Sequence, residues 1–292
     1  MSATATQVTQ LTAPNHTIEA PNGVSYAYRR LGEPSTSAPP LVLLQHFRGN
    51  LDNWDPALVD ALARTREVIL FDNAGVGGST GTVPRSVNAM AHDALTFIDV
   101  LELREIDVLG FSLGGYVAQE LVLIRSRLVR HLVLAGTAPQ GGDDLHGFTD
   151  DMYTHANQDQ PGAEDILALM FVPTQTSLAR GGEFLKRIFT RTEDRDTPAT
   201  LEVRDAQLDA ITEWGIPDAS RLNRLAGITQ PALVASGDND RLVPTNNSHL
   251  LAEHLPNAQL KIYPDAGHGF LFQYPAEFAG EVERFLNGRR AE

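Results

Sequence analysis

The sequence contains no cysteine, no long basic run and no long apolar run. The absence of cysteine excludes disulfides, thiolate metal sites and a cysteine nucleophile, and it is compatible with a reducing compartment. No stretch approaches the ~20 apolar residues that a membrane-spanning helix needs. The N-terminal residues lack the basic start and apolar block of a secretory signal. We therefore expect a cytoplasmic protein that does not enter a membrane.

The charge balance is strongly acidic. Lys and Arg number 23 against 37 Asp and Glu, which gives a formal net charge of −14. This excess disfavours binding to phosphate backbones or anionic lipid, so neither nucleic acid nor membrane is an expected partner. With 42% hydrophobic residues the chain is globular. Its 292 residues correspond to two domains of roughly 150 residues, or to one large α/β domain with an insertion.

Strand-like and helix-like segments alternate along the chain. Short apolar runs bounded by turn residues, which are typical of strands buried on both faces, occur at residues 41–45, 68–71, 106–110, 131–135, 232–236 and 259–263. Amphipathic helical stretches cover residues 56–64, 86–103, 113–129, 246–255 and 275–286. Two alternating runs, 16–20 and 24–30, flank a Pro-Asn-Gly turn and predict a hairpin. We predict an α/β fold: a mostly parallel twisted sheet with helices on both faces and an antiparallel edge.

Residues 139–221 interrupt this alternation. They contain no convincing buried strand, and candidate helices lie at 162–171, 178–191 and 199–214. We predict an inserted helical cap over 139–221, a core domain formed by 13–138 and 222–292, and a poorly ordered N-terminus over 1–12. Most of the larger apolar side chains of the insertion are expected to form a small core of their own; they are Phe148, Met152, Met170, Phe171, Phe184, Phe189 and Trp214.

The Gly-Phe-Ser-Leu-Gly sequence at 110–114 lies between a predicted buried strand and an amphipathic helix. A sharp strand–turn–helix connection strains its central residue, and its neighbours must be glycine where the chain passes close to other backbone. The turn raises the Ser112 hydroxyl above the sheet edge at a helix N-terminus. This context predicts Ser112 as a nucleophile rather than part of a packing turn.

A serine nucleophile needs a base and an acid. His268 has glycine on both sides and follows the last predicted strand, at the sheet edge where catalytic groups of α/β folds gather. The other histidines are expected to be surface or packing residues. Asp238 and Asp240 both follow the 232–236 strand, and Asp240 has the better reach toward His268. Asp143 lies too far beyond the preceding strand to compete.

From about residue 16 to 288, the sequence resembles the α/β-hydrolase fold superfamily. Residues 110–114 resemble its nucleophile elbow, 237–244 its acid loop, 267–269 its histidine loop and 72–79 its D-x-x-G-x-G-x-S turn. The resemblance implies a Ser-His-Asp site and supports Asp240 as the acid. At the 72–79 turn, the resemblance is compatible with a structural supporting role for Asp72. These motifs do not specify a substrate.

One motif departs from the family pattern. Gln45 and His46 stand where the family usually has His-Gly after the third strand. By position, the backbone N–H groups of Phe47 and Leu113 would form the oxyanion hole. His46 is either a polar contact for the substrate or a brace for this loop, and Arg48 either meets an anionic group or faces solvent. The possible substrate contacts are His46, Arg48, Phe111, Trp214 and Phe270.

The predicted activity is hydrolysis of a small to medium, largely apolar ester or lactone through an acyl-enzyme, with no metal or cofactor. A carbon–carbon bond hydrolase and a cofactor-free perhydrolase of the haloperoxidase type use the same triad and remain alternatives. A non-hydrolytic small-ligand receptor is an alternative of another class, and it predicts binding with negligible turnover. Nothing in the sequence indicates an oligomeric state.

Overall fold

The computed structural model describes residues 8–288. The predicted poorly ordered N-terminus, residues 1–12, lies partly outside this range. Its remaining part is ordered: Gln10 is buried and its Nε2 donates to the Leu51 carbonyl at 2.7 Å. Arg191 donates to the carbonyls of Gln10, Leu11 and Ala13. These contacts tie residues 10 and 11 to the rest of the fold.

Within residues 8–288, eight strands form one sheet in the order β1-β2-β4-β3-β5-β6-β7-β8. The strands are β1 (His16–Glu19), β2 (Ser25–Leu31), β3 (Leu41–Leu44), β4 (Val68–Phe71), β5 (Ile106–Phe111), β6 (Val129–Ala135), β7 (Ala232–Gly237) and β8 (Ala258–Tyr263). β2 pairs antiparallel with β1 and β4, and every other pair is parallel. This confirms the predicted α/β class and its antiparallel edge.

Helices cover both faces of the sheet. They are α1 (Pro56–Leu62), α2 (Val87–Val100), α3 (Leu113–Ile124), α4 (Asp150–Ala156), α5 (Ala163–Met170), α6 (Gln175–Ile188), α7 (Leu201–Trp214), α8 (Asn246–His254), α9 (Phe270–Gln273) and α10 (Pro275–Leu286). Alternate residues of β3 point to opposite faces. Val42 and Leu44 pack with α2 and α3, whereas Leu41 and Leu43 pack with α1 and α10. No helix within residues 8–288 is long and apolar enough to cross a membrane.

Helices α4 to α7 and a 3₁₀ helix, Ala219–Gly227, lie between β6 and β7. Residues 139–221 are called the insertion below, and we propose that they form a cap. Several of its large apolar side chains pack on the sheet rather than only on one another. Phe171 and Phe184 pack into the cluster beside α9 and α10, and Trp214 packs into the cluster beside α2 and α3. The insertion is therefore seated on the sheet domain through continuous apolar contacts.

Candidate active site

Ser112 lies between the last residue of β5 and the first residue of α3. Its φ of 55° and ψ of −120° are strained for a residue with a side chain. The flanking structure holds this conformation: Ser112 N donates to the Ala135 carbonyl on β6 at 2.9 Å, and Thr137 Oγ1 donates to the Ser112 carbonyl at 2.8 Å. The Ser112 side chain lines a cavity above the carboxyl ends of the strands.

The glycines around Ser112 are explained by close backbone approach. A Cβ on Gly114 would collide with the Leu44 carbonyl oxygen at the end of β3, and a Cβ on Gly110 would collide with the Gly114 carbonyl. A side chain at Gly115 would collide with Thr137. The motif thus allows α3 to begin directly against β3 and β6, which fixes the position of Ser112 above the sheet.

His268 follows β8 and lines the same cavity. Its Nδ1–H donates to Asp240 Oδ2 at 2.7 Å, and both side chains are almost fully buried. The other carboxylate oxygen, Asp240 Oδ1, accepts from Leu242 N at 3.0 Å and Val243 N at 2.9 Å. This pairing leaves Nε2 of His268 as the nitrogen free to act as a base toward Ser112.

Asp238 has a different environment from Asp240. Its carboxylate accepts the backbone N–H groups of Asp265 and Ala266, each at 3.1 Å. These hydrogen bonds lower the pKa of Asp238 against the opposing effect of its burial. The structure therefore brings Asp240 to His268, while Asp238 supports the backbone of the loop that carries His268.

The loop after β3 is closed by Gln45. Its Nε2 donates to the Asn50 carbonyl at 2.7 Å, and its Oε1 accepts His46 N at 3.0 Å. A Cβ on Gly49 would collide with the Gln45 side chain, so glycine there lets this side chain fold beneath the loop. Gln45 thus provides internal support at the point where the sequence departs from the usual His-Gly.

The two backbone groups expected to form an oxyanion hole are unoccupied by internal partners. Neither Phe47 N–H nor Leu113 N–H donates a hydrogen bond to another group among residues 8–288. Phe47 lines the cavity together with Ser112. Both N–H groups therefore lack an internal acceptor among the described residues, which is compatible with the expected oxyanion hole.

His46 both lines the cavity and supports the loop. Its Nδ1–H donates to the Phe47 carbonyl at 2.8 Å, and its ring meets the edge of Phe111 at a centroid distance of 5.3 Å. Burial, assisted by the nearby His268, lowers the pKa of His46 to about 4. The imidazole is therefore neutral near pH 7, with its proton on Nδ1 and a lone pair on Nε2.

Arg48 contacts the insertion. Its guanidinium donates to the carbonyls of Gln158 and Asp159 at 2.6 Å each and to that of Ala199 at 3.3 Å. The side chain lines part of the cavity, but these carbonyls take three of the five N–H donors of its guanidinium. The arrangement does not support Arg48 as the partner of an anionic substrate group, and it also differs from a solvent-facing arginine.

Three predicted substrate contacts do not line the cavity. Phe111 is buried beneath His268, with ring centroids 4.9 Å apart. Trp214 stacks on Tyr116 and donates from Nε1 to the Ala138 carbonyl, and Phe270 is buried against aromatic residues of the β8–α10 side. The structure therefore does not bring these three side chains to the cavity, because proximity to a motif in sequence does not determine the direction of a large apolar side chain.

The cavity has a volume of about 500 Å³ and is lined mainly by apolar side chains of the insertion. Sequence reasoning missed most of them: Leu145, Tyr153, Ile166, Leu169, Leu208 and Ile211. The helical spacing within α5 and α7 is the signal that could have found several of them. Tyr153 and Phe189 line the cavity and remain 49% and 54% exposed. These two residues therefore contribute to its opening.

A buried charge cluster borders the cavity at the loop after β3. Asp72 Oδ1 and Asp196 Oδ2 both accept Leu51 N–H, at 2.9 and 3.1 Å. Burial, followed by repulsion from Asp196, raises the pKa of Asp72 well above the ordinary range. Burial, followed by repulsion from Asp52, raises the pKa of Asp196. Asp72 also accepts Gly78 N at 2.9 Å, so its contacts are those of a supporting residue in the 72–79 turn.

Residues 39–275 match the alpha/beta hydrolase fold family. A poly(3-hydroxyalkanoate) depolymerase of Ectopseudomonas oleovorans is 30% identical over 282 residues, covering 94% of this chain and 93% of the relative. A putative carbamate hydrolase RutD of Caulobacter sp. (strain K31) is 28% identical, with coverage of 89% and 95%. The structure of an alpha/beta hydrolase fold protein from Chitinophaga pinensis superposes with a TM-score of 0.90 at 44% identity, covering 96% of this chain and 99% of the other. The chain is therefore a member of the alpha/beta hydrolase fold family of enzymes.

Proposed function

We propose that the protein hydrolyses small to medium, largely apolar carboxylic esters or lactones through Ser112, His268 and Asp240. The observation that carries the proposal is the buried His268–Asp240 hydrogen bond of 2.7 Å beside the strained Ser112 turn, in one apolar cavity. The names of the depolymerase and carbamate hydrolase relatives are compatible with attack on an acyl carbon. They do not distinguish among esters, lactones and carbamates as substrates.

In the proposed reaction, His268 Nε2 accepts the Ser112 hydroxyl proton as Ser112 Oγ attacks the carbonyl carbon. Asp240 holds the Nδ1–H tautomer and stabilises the imidazolium that forms. The N–H groups of Phe47 and Leu113 donate to the oxyanion. Collapse of the tetrahedral intermediate breaks the bond to the leaving alcohol, which takes the proton from His268. Water then repeats these steps on the acyl-enzyme and releases the acid.

The test is a panel of short to long acyl esters, lactones and carbamates, assayed with wild type and Ser112→Ala. We expect wild-type turnover on apolar esters or lactones and a loss on the order of 10⁶ in kcat for Ser112→Ala. A fluorophosphonate probe should label Ser112 in wild type. Absence of both labelling and Ser112-dependent turnover would reject the proposal, and ligand binding without turnover would favour the receptor alternative.

A further inference from the structure

The peptide group that joins Phe47 to Arg48 is held from both sides. Its carbonyl accepts His46 Nδ1–H at 2.8 Å, a contact within the loop itself. Its N–H donates at 2.6 Å to Oε1 of Gln207, which lies on α7 of the insertion. This peptide group directly follows the Phe47 N–H that the proposed oxyanion hole uses. Its orientation therefore restricts the backbone that presents that donor.

Arg48 itself is held in an uncommon conformation. Its φ is 60°, in the left-handed region that residues with side chains rarely adopt. Such a conformation persists when surrounding contacts over-determine it. Here those contacts come from the insertion: Gln207 accepts Arg48 N–H, and three backbone carbonyls accept the guanidinium. The loop conformation thus depends on the insertion being seated.

Gln207 is fully buried, and its Nε2 has no hydrogen-bond partner within residues 8–288. Burying an unpaired amide donor costs stability. Its Oε1, by contrast, is aligned with a single backbone N–H on the loop after β3. The stabilising hydrogen bond of this buried amide is therefore the one that fixes Arg48.

We propose that Gln207 and Arg48 are positioning residues that make the oxyanion hole depend on docking of the insertion. With the insertion seated, they fix the Phe47–Arg48 peptide group and aim the Phe47 N–H at the developing oxyanion. When the insertion is displaced, these contacts are lost and the loop relaxes from the left-handed conformation. The inference rests on the proposed function, and it adds that chemistry is coupled to closure of the cavity.

The experiment compares Gln207→Leu, which removes the acceptor, with Gln207→Glu, which keeps an oxygen at this position. We expect Gln207→Leu to lower kcat about 10- to 100-fold, with a smaller change in KM, because one oxyanion donor is misplaced. Gln207→Glu should lower Tm, because it buries a carboxyl group, but the kcat of the folded enzyme should stay within about threefold of wild type, since the acceptor remains. Arg48→Gly, which tolerates a positive φ but lacks the guanidinium, should also lower kcat.

Inhibitor binding separates positioning from general destabilisation. An alkyl boronic acid forms a tetrahedral adduct with a serine and uses the oxyanion donors, whereas an ether analogue of the substrate only fills the cavity. Gln207→Leu should lower the affinity for the boronic acid by a factor similar to its loss in kcat. The affinity for the ether analogue should stay nearly unchanged. Equal weakening of both inhibitors, or an unchanged kcat, would overturn the inference.

Arg187→Gln provides the matched control. Arg187 on α6 also joins the insertion to the sheet domain, through hydrogen bonds of 2.7 and 2.6 Å to Asp55, but it does not contact the Phe47 loop. The Arg187→Gln variant should lower Tm while preserving kcat and boronic acid binding.

Lack of Ser112-dependent turnover in wild type would instead reject the proposed function. If Gln207→Leu does not fold, Arg48→Gly and the boronic acid measurement decide the question, and normal boronic acid binding by Arg48→Gly would overturn the inference.

Discussion

Asp238 and Asp240 are only two residues apart, yet their carboxylates contact different atoms. Asp240 accepts the His268 ring N–H, whereas Asp238 accepts the backbone N–H groups of Asp265 and Ala266. This difference can be tested by changing each aspartate to asparagine, because the two side chains have nearly the same shape. Only the Asp240 change alters the hydrogen bond that orients the imidazole.

We expect Asp240→Asn to lower kcat by about 10⁴-fold, since an amide can force His268 into the wrong tautomer. Asp238→Asn should lower kcat by less than about 10-fold, because its amide oxygen keeps one of the two backbone N–H groups that the carboxylate accepts, and the Asp240–His268 hydrogen bond is untouched. Steady-state kinetics on the best ester, with circular dichroism to check folding, measures both effects. A larger loss in Asp238→Asn would show that Asp240 is not the acid of the site.

His46 predicts a pH-dependent stability. Burial lowers its pKa to about 4, whereas the unfolded chain has the ordinary value of 6.5. Between these values the unfolded state binds the proton more readily, so the free energy of unfolding falls as pH drops. His46→Gln keeps a side-chain donor for the Phe47 carbonyl and removes this titration. Urea unfolding should show a smaller loss of stability from pH 7 to pH 5 in the variant, and an equal loss would contradict the prediction.

The residues that the structure brings to the cavity were predictable to different degrees. Ser112, Asp240 and His268 each follow a strand, and the glycines near Ser112 and beside His268 allow the chain to pass close to other backbone. The directions in which neighbouring side chains point could not be predicted from the sequence. Phe111, for example, is adjacent to Ser112 but packs beneath His268. Arg48 depends on carbonyl groups more than 100 residues away, and such contacts leave no local sequence pattern.

At the scale of elements, the apolar strands were recognised because residues buried on both faces form short continuous hydrophobic runs. Their observed boundaries lie within two residues of the predicted ones, and β4 matches at both ends, since hydrogen bonding to neighbouring strands decides where a strand ends. The helices predicted within the insertion did not include α4, Asp150–Ala156, in which only Met152 and Ala156 are buried. So short a helix has no clear periodic face, and its position depends on packing against α5.

Two adjacent glycines in α6 offer a test of the packing of the insertion. A Cβ on Gly182 would meet no heavy atom within 4 Å, whereas one on Gly181 would lie 2.5 Å from Leu167 Cδ2 and 3.0 Å from Phe171 Cδ2. Gly182→Ala should raise the free energy of unfolding by about 0.5–1 kcal/mol through helix propensity. Gly181→Ala should lower it by about 1 kcal/mol through overpacking. Urea denaturation measures both, and destabilisation by Gly182→Ala would contradict this account of α6.

At the scale of the whole molecule, acidic side chains from the sheet domain and the insertion meet at Leu51. Repulsion and burial raise the pKa values of Asp72 and Asp196 in the folded state. The unfolded carboxyl groups retain the ordinary value of 3.8. The folded state therefore holds protons more tightly, and the stability contributed by this pair is lost as pH rises through the raised pKa values.

Asp196→Asn removes one charge and keeps an oxygen acceptor for Leu51 N–H. We expect it to raise the free energy of unfolding at pH 8 by roughly 0.5–2 kcal/mol, with the gain shrinking as pH falls toward 4. Asp194→Asn, at an exposed position in the same segment, is the control for loss of one negative charge. Urea unfolding across this pH range measures the difference. A gain that grows on acidification would contradict the prediction.

The global arrangement of the sheet could be predicted because strand–helix alternation restricts the topology. The seating of the insertion on the sheet could not be predicted, since it depends on side chains from both of these parts of the chain. Phe184 stacks on Phe272, at a centroid distance of 4.5 Å, although 88 positions separate them in the chain. The expected small core within the insertion was therefore replaced by packing on the sheet domain.

The pairing of β6 with β7 has a consequence for recombination between relatives. Leu132 lies opposite Ala232, so the insertion leaves the sheet on one strand and returns on its immediate neighbour. Segments of different length can be exchanged at this junction without reordering the strands. A transplanted segment would inherit the β6–β7 junction, but it would also have to present an acceptor to Arg48 N–H. Chimaeras built at this junction should therefore fall into two groups: those with the acceptor keep a kcat near that of the parent, and those without it fold but have a kcat about 10- to 100-fold lower.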